Sequence, residues 1–441
     1  MSMSNYVNKL KELGEKYHDD VIAFSQKLIQ TPSISETEKG VADLILAKLK
    51  ELNFDEVYRD KIGNVIGIVK GTEDGPTIMY NGHMDHVDPG DVKNWQGYDP
   101  YGGEVDVCEV DNQDKTAKDM VECIHGRAAS DVKCGLAAQI YSGGILAQMK
   151  KEGFEFKGNY MFAGVVEEEP AEAIGMTYLI DNTFPEKGYT YDAMVSCEAT
   201  SLKIYCGHRG RTEMLATVFG RTSHGSAPWL GINAIYKAMP LINKLKDELY
   251  PSLPSDDKLG KSSIALTIIE CLPGALSIVP DKCMLSIDRR TIPGENAEIA
   301  LKQVQDIIDK LEKEDPEFKA KVEVKYGNHI SYTGVENHVA KDMTAWKIAE
   351  DNPFVKAATK GLEEVGQKVK YGYWDFATDS SKTAGIDKKP TIGYSPMQEQ
   401  FAHTPYDKCR IDFIDKAVIG NVSIFLNVVN CDEEAYKPLV W

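Results

Sequence analysis

Short apolar runs alternate with helical patterns along the first half of the chain. The runs lie at 65–69, 77–80, 160–166 and 193–195. Their length is typical of buried strands. Between the second and third runs, residues 132–149 repeat apolar side chains at helical spacing, and Ser130 and Asp131 precede them as an expected N-cap. Strands that alternate with helices predict a mostly parallel α/β sheet flanked by helices.

The order of predicted elements changes at about residue 208. The pattern then predicts strand 211–219, helix 231–249, strand 263–271, strand 282–290, helix 296–313 and strand 320–326. This βαββαβ order is ferredoxin-like. Beyond 328, a helix at 353–365 and a strand at 390–394 resume the first pattern. We therefore expect a catalytic-type α/β domain formed by 1–207 and 328–441, with a smaller domain, 208–327, inserted into it.

Charge and cysteine content narrow the classes of function. The net charge of −18 argues against a nucleic-acid partner, because phosphate binding requires a basic surface. An acidic membrane surface is disfavoured for the same reason. The nine cysteines form no dense pattern, and an odd number favours a reduced compartment. No export signal or apolar run of roughly 20 residues is evident, so we expect a cytoplasmic protein without a membrane partner.

Acidic and imidazole residues follow several of the predicted strands. They are His83 and Asp85, the triplet Glu167 to Glu169, Glu198 and His403. Open parallel sheets bind ligands beyond the carboxyl ends of their strands, so these residues should converge. A single His-x-Asp pair is usually only hydrogen-bonded, and an aspartate before a helix, such as Asp131, is usually a cap. Taken together, however, the set indicates a metal site, since three adjacent carboxylates otherwise repel one another.

Seven motifs carry a resemblance to a known family. They are NGHMDHV at 81–87, GRAASDVKCG at 126–135, EEE at 167–169, CEAT at 197–200, TSHGSAPWLGINAI at 222–235, DRRTIPGE at 288–295 and FAHTPYD at 401–407. In this order they resemble the di-zinc amidohydrolases and exopeptidases, which include acetylornithine deacetylase, succinyl-diaminopimelate desuccinylase, aminoacylase and glutamate carboxypeptidase. DRRTIPGE also resembles a branch called selenium-metabolism-linked hydrolases. The family fold is an α/β domain with an inserted ferredoxin-like lid that often dimerises.

The resemblance implies two metal ions that share one carboxylate. His83, Asp131 and Glu198 would hold one ion, and Asp131, Glu168 and His403 the other. Oxygen and imidazole ligands suit Zn²⁺ and also accept Co²⁺ or Mn²⁺. Asp85 would accept the second ring N–H of His83 and orient that ligand.

The resemblance also assigns catalytic and substrate-binding roles. Glu167 would be the general base, and His224 would stabilise the oxyanion, in many members from the partner subunit, so a homodimer through the lid is expected. Arg290, with Arg289 as a competitor, would bind a substrate carboxylate, and Asn233 would contact the substrate. The expected reaction is hydrolysis of a C–N amide bond in an N-acyl or N-carbamoyl amino acid, or in a dipeptide.

Two alternatives remain open at this level. The residue before the paired glutamates is usually acidic in the family but is Val166 here, and Glu169 extends the pair, so Glu168 and Glu169 are a second choice of base and ligand. The other class of function is a non-catalytic relative that serves as a binding or scaffolding module. The hydrolase is favoured because every ligand position and the base position hold competent residues.

Overall fold

A computed structural model describes residues 3–170 and 172–441 of the protein. Its helices are α1 Met3–Ile29, α2 Lys39–Glu51, α3 Cys134–Lys151, α4 Ile174–Tyr178, α5 Phe184–Lys187, α6 Ala234–Lys244, α7 Tyr250–Ser252, α8 Ala297–Glu314, α9 Pro353–Glu364 and α10 Ile411–Val428. None of the helices in this part of the chain has the length and apolar character needed to cross a membrane.

The strands, in chain order, form one large sheet, one lid sheet and several small ones. They are β1 Glu56–Arg59, β2 Val65–Lys70, β3 Glu73–His83, β4 Val105–Asp111, β5 Lys118–His125, β6 Lys157–Val165, β7 Ala193–Ser196, β8 Ile204–His208, β9 Gly210–Phe219, β10 Ser255–Asp256, β11 Gly260–Lys261, β12 Ser263–Leu272, β13 Lys282–Thr291, β14 Lys319–Val324, β15 Tyr326–Ile330, β16 Glu336–Ala340, β17 Asp342–Met343, β18 Trp346–Lys347, β19 Tyr371–Trp374, β20 Thr391–Gly393 and β21 Lys408–Arg410.

The large sheet has the strand order β1-β2-β6-β3-β7-β20-β8-β18, with β19 beside β8. Its centre, β6-β3-β7-β20, is parallel, and antiparallel pairs lie towards both edges. Side chains alternate between its two faces: Tyr80 packs into the core formed with α1, α3 and α10, whereas Met79 packs into a second cluster on the opposite face. The predicted mostly parallel α/β sheet flanked by helices is confirmed.

The lid sheet has the order β12-β13-β9-β14 with antiparallel neighbours throughout. With α6 and α8 it encloses a separate apolar cluster that includes Met214, Leu241, Leu285 and Val304. The element order β9-α6-β12-β13-α8-β14 is the predicted ferredoxin-like one. After the β15–β16 hairpin, the short strand β17 pairs with β9, and the chain then re-enters the large sheet at β18.

Two predicted helix starts are shifted by local chemistry. The helix expected from 132 begins at Cys134, because Asp131 and Val132 have non-helical backbone angles and the carboxylate of Asp131 does not cap the helix. The helix expected from 231 begins at Ala234, because the Asn233 side chain accepts a hydrogen bond from the Ile235 N–H at 2.9 Å. The hairpin β4–β5, which pairs with β21, was not predicted.

We predict that the lid has a core of its own that can be weakened selectively. Leu285 is fully buried in the lid cluster, and truncation to alanine should lower the free energy of unfolding by about 2–5 kcal/mol. The matched control is Ile268→Ala, because Ile268 is half exposed on the outer lid strand. In calorimetry, Leu285→Ala should lower the midpoint temperature of one unfolding transition, that of the lid, and leave the midpoint of the large-sheet domain unchanged. A single transition that moves as a whole would contradict an independently folding insert.

Candidate metal centre

The ends of four neighbouring parallel strands bring the predicted acidic and imidazole residues to one edge of the large sheet. His83 is the last residue of β3, and the glutamate triplet begins two residues after the end of β6. Glu198 follows β7, and His403 lies in the loop after β20. Asp131 reaches the same edge from the turn before α3. This convergence is the arrangement expected for ligand binding in open α/β sheets.

Asp131 lies between two groups of side chains and faces both. Its Oδ1 atom is 3.1 Å from His83 Nε2, and His83 Nε2 is 3.6 Å from Glu198 Oε1. Its Oδ2 atom is 3.0 Å from His403 Nε2, which is also 3.1 Å from Glu169 Oε2. Each group offers three ligand atoms within 4.8 Å of one another, so each has the composition and size of a metal site with Asp131 as the shared member.

The imidazoles carry the positive charge that these carboxylates require. Hydrogen bonds with Asp131 and then Glu169 raise the pKa of His403 to about 10. Burial alone would lower the pKa of His83, but Asp131 and Asp85 raise it well above its ordinary value. Burial would likewise raise the pKa of Asp131, yet the hydrogen bonds from the two imidazoles lower it. A divalent cation in each group would replace these protons as the compensating charge.

The remaining carboxylates also fit cations. Burial raises the pKa of Glu198 to about 8, even though His83 opposes that shift. Burial, and then repulsion from Glu198, raise the pKa of Glu168 well above its usual range. Among the described residues, Glu169 Oε1 has no hydrogen-bond partner. Buried carboxylates without partners are costly unless a cation or a proton neutralises them, so the donor set fits two metal ions.

The position of the glutamate triplet differs from the expectation by one residue. The structure brings Glu169, not Glu168, to His403 and Asp131, and Glu167 lies outside the cleft, fully buried. The reason is the left-handed backbone of Glu167, with φ 55°, which interrupts the strand alternation two residues after the end of β6. With this shift, the residue before the pair is the acidic Glu167, which removes the departure noted at Val166.

Asp85 holds the glutamate loop in place. Its carboxylate accepts the backbone N–H groups of Glu168 and Glu169, each at 3.1 Å, and the Ser35 hydroxyl at 2.7 Å. The expected contact with His83 is looser: Nδ1 lies 3.5 Å from the carboxylate and donates instead to the Asp85 backbone carbonyl at 3.0 Å. That hydrogen bond still directs Nε2 of His83 towards Asp131.

Asp407 fixes the loop that carries Asp131. Its buried carboxylate accepts the backbone N–H groups of Ala128 and Ser130 at 2.8 and 2.9 Å, and the Ser130 hydroxyl at 2.6 Å. Arg127 donates to it at 3.0 Å. Because Asp407 lies four residues after His403, one side chain couples the segments that present Asp131 and His403.

The metal-type residues line a cleft of about 370 Å³, which is the size of small-molecule sites. Arg211 and Arg290 form part of its wall from the lid, where they are directly paired across β9 and β13. Asp288 binds both: its Oδ1 accepts from Arg290 Nε at 2.7 Å, and its Oδ2 accepts from Arg211 Nε at 3.1 Å. Arg289, by contrast, is buried in an ion pair with Glu295, so Arg290 is the arginine that reaches the cleft.

Two residues with expected roles, His224 and Asn233, lie on the lid and do not line the cleft of their own chain. His224 is exposed on the lid, where its Nδ1 is 2.7 Å from the Ser226 hydroxyl, and it does not line the cleft of its own chain. The Asn233 side chain is used to cap α6, so the chain itself does not offer that oxygen to a substrate.

Asp379 is a site residue that sequence reasoning missed. It is buried, and neither carboxylate oxygen has a hydrogen-bond partner among the described residues. Burial raises its pKa to about 7, and its charge in turn raises the pKa of Glu198 and Glu168. The available signal was its place after β19, which runs parallel to β8, because the same strand-end rule located the other acids.

Comparison with known proteins identifies a matching domain family and two relatives. Residues 206–316 match the model of the peptidase dimerisation domain, M20_dimer. The uncharacterized protein YgeY of Escherichia coli K12 is 32% identical over 399 residues, which cover 90% of this chain and 91% of YgeY. Succinyl-diaminopimelate desuccinylase of Hydrogenovibrio crunogenus is 23% identical over 296 residues, which cover 66% of this chain and 73% of the desuccinylase.

Solved structures share the whole fold. Aminopeptidase PepT of Bacillus cereus superposes with a TM-score of 0.68 at 19% identity, over 93% of this chain and 98% of PepT. The YXEP protein of Bacillus subtilis, described as a dinuclear metal binding peptidase of the M20 family, superposes with a TM-score of 0.65 at 15% identity, over 94% of this chain and 99% of YXEP. The chain therefore belongs to the M20 family of metallopeptidases and related metal-dependent amide hydrolases.

Proposed function

We propose that the protein hydrolyses the C–N amide bond of an N-acyl or N-carbamoyl amino acid, or of a dipeptide, with two metal ions, Zn²⁺ by default. The observation that carries this proposal is the position of Asp131 between two ligand groups, with one carboxylate oxygen 3.1 Å from His83 and the other 3.0 Å from His403. His83, Asp131 and Glu198 would hold one ion, and Asp131, Glu169 and His403 the other.

Glu168 is the proposed general base. Two carboxylates, Glu168 and Glu399, line the cleft without belonging to either ligand group. Glu168 is favoured because it is the buried one and its charge interacts with those of Glu198 and His83 in the first ligand group. When bound, the two cations would lower the pKa of an attacking water and polarise the scissile carbonyl. Glu168 would accept the proton of that water and then pass it to the leaving amine, while Asp85 keeps its backbone in place. The burial of Glu167, the base expected from the sequence, and its absence from the cleft lining support this choice.

A substrate carboxylate is the proposed partner of Arg290. A guanidinium can bind a carboxylate through two parallel hydrogen bonds, and Asp288 already orients this one against the cleft wall. Phe376 and Ala377 supply an apolar part of the same wall. An amino-acid carboxylate held at Arg290 would place the neighbouring amide towards Asp131 and Glu168.

The partner subunit is the proposed source of His224. Its exposure on the lid, and the match of 206–316 to a dimerisation domain, support a homodimer in which each lid presents His224 to the cleft of the other copy. There it would donate to the oxygen that becomes negative during attack.

The glutamate triplet gives the first test of this proposal. Glu168→Gln should keep two metal ions per chain, measured by elemental analysis, and should lower kcat by about 10²- to 10⁴-fold, because an amide cannot accept the proton. Glu169→Gln should lose one metal ion, because it removes a ligand charge. Glu167→Gln should retain both metal content and turnover. If Glu167→Gln were inactive with its metals intact, the assignment of the base would be wrong.

The second test concerns Arg290. Arg290→Lys keeps the positive charge but loses the two parallel N–H donors of the guanidinium. KM should therefore rise about tenfold or more, while kcat changes less. Arg221→Lys, on an exposed lid arginine away from the cleft, is the matched control. The substrates to screen are N-acetyl, N-succinyl and N-carbamoyl amino acids and dipeptides. An unchanged KM for Arg290→Lys would exclude Arg290 as the carboxylate-binding group.

The third test is complementation between two inactive chains. Mixed dimers of Glu168→Gln and His224→Ala contain one composite site with both wild-type residues, so an equal mixture should recover about a quarter of wild-type turnover. Each variant alone should stay inactive, and both should keep their metals. Absence of recovery in a mixture shown to exchange subunits would place His224 outside catalysis or in its own chain.

A further inference from the structure

A second group of metal-ligating side chains lies on the small sheet formed by β4, β5 and β21. Asp106 and Cys108 alternate on β4, and His125 is the last residue of β5. Asp106 is directly opposite Cys123, so Asp106, Cys108, Cys123 and His125 all project from the same face of the hairpin. None of these residues belongs to the ligand groups around Asp131.

Three of these side chains bring their ligand atoms together. His125 Nε2 is 2.7 Å from Asp106 Oδ1 and 3.9 Å from Cys108 Sγ, and all three ligand atoms lie within 4.8 Å of one another. Tetrahedral Zn²⁺ has bonds of about 2.3 Å to sulfur and 2.0–2.1 Å to nitrogen, which sets its ligand atoms roughly 3.3–3.8 Å apart. The observed separations bracket that range, so only small side-chain movements are required.

We propose that Asp106, Cys108 and His125 form a third divalent-metal site, selective for thiophilic ions such as Zn²⁺ and Co²⁺ and distinct from the centre around Asp131. It has three protein ligands and a fourth position open to solvent, since the Asp106 side chain is 42% exposed. Binding would replace the Cys108 thiol proton by the metal and release that proton to solvent. A soft sulfur ligand distinguishes it from the oxygen and nitrogen ligands of the main centre.

The surroundings hold the ligands in position. Tyr98 stacks on His125 with ring centroids 4.1 Å apart, and its hydroxyl donates to Asp106 Oδ2 at 2.5 Å. That hydrogen bond leaves Oδ1 of Asp106 directed at His125. In this arrangement Nε2–H of His125 donates to Asp106 Oδ1, and on metal binding that proton would move to Nδ1, which leaves the Nε2 lone pair for the metal.

One charge opposes the site. Lys408, the cross-strand neighbour of His125 on β21, places Nζ 3.8 Å from Cys108 Sγ. An ammonium group there competes with a cation for the sulfur. Lys408 is partly exposed, so its side chain can turn to solvent when the metal binds. Removal of this charge should therefore tighten binding, which is the opposite of what removal of a ligand should do.

The location connects this site to the catalytic loops. β5 ends at His125, six residues before Asp131, and β21 begins directly after Asp407. Asp407 fixes the intervening loop through Ala128 and Ser130. A metal at Asp106, Cys108 and His125 would thus join β4 to the end of β5, at the base of the loop that presents the shared carboxylate.

Titration of the purified full-length protein with Co²⁺ tests the proposal without an activity assay. A thiolate ligand gives an intense near-ultraviolet charge-transfer absorption, which the main centre cannot produce because its ligand groups contain no cysteine. Wild-type protein should develop this absorption with one thiolate-bound Co²⁺ per chain. Cys108→Ser should weaken binding at this site by at least about 100-fold, beyond the roughly 10- to 100-fold that loss of an outer-shell partner costs.

Three further variants distinguish a metal bound at Cys108 from one bound at another cysteine or at the main centre. Cys431→Ser is the control, a partly buried cysteine just beyond α10 and outside the ligand set, and should keep the absorption. His403→Ala should also keep it, so the result is independent of the function proposed above. Lys408→Met should increase the affinity for Co²⁺. No absorption in wild-type protein, or its persistence in Cys108→Ser, would overturn the third site.

Discussion

The concentration of buried carboxylates at one sheet edge is the constraint on which the rest of the structure depends. Glu168, Glu198 and Asp379 are each buried, and burial is the first cause of the raised pKa of each. Several kcal/mol per unpaired buried charge could not be tolerated in a domain of ordinary stability. Two histidines offset only part of that charge. These carboxylates can all remain ionised only when cations are bound. Metal binding and the stability of this edge of the sheet are therefore coupled.

The fold meets this constraint by placing positioning groups behind the ligands. Asp85 binds the backbone of the glutamate loop, and Asp407 binds the backbone of the loop before Asp131. Both are buried carboxylates that mainly accept hydrogen bonds from backbone N–H and side-chain O–H groups of the chain. The rigid frame is therefore built from backbone hydrogen bonds, while the ligands that face the cleft remain free to bind ions. Because the parallel strands end at the same edge of the sheet, Asp85 and Asp407 can each reach their loop through direct hydrogen bonds.

The sequence predicted the strands and helices more completely than it predicted the residues of the site. Strands such as β3 and β7, and the lid order, were predicted because apolar periodicity reports burial directly. The choice between Glu167, Glu168 and Glu169 could not be made in that way. It depends on the left-handed backbone of Glu167, and three identical side chains contain no signal for where the alternation breaks. Asp379 was missed because the residues around it in space are distant in the chain. The β4–β5 hairpin was missed because both of its strands are partly exposed.

The charges of the cleft also set an order of events. Asp131, Glu168, Glu169 and Glu198 oppose any anionic substrate, whereas the lid arginines are already paired with Asp288 and Glu213. A carboxylate that approaches Arg290 therefore gains little net attraction from the lid alone. Two divalent cations would balance these four of the five carboxylates that line the cleft, and the guanidinium would then be the group that distinguishes one substrate end from the other. On the proposed function, metal binding would precede productive substrate binding, and Arg290 would hold the substrate carboxylate through its parallel N–H donors more than through net charge, because Asp288 already balances that charge.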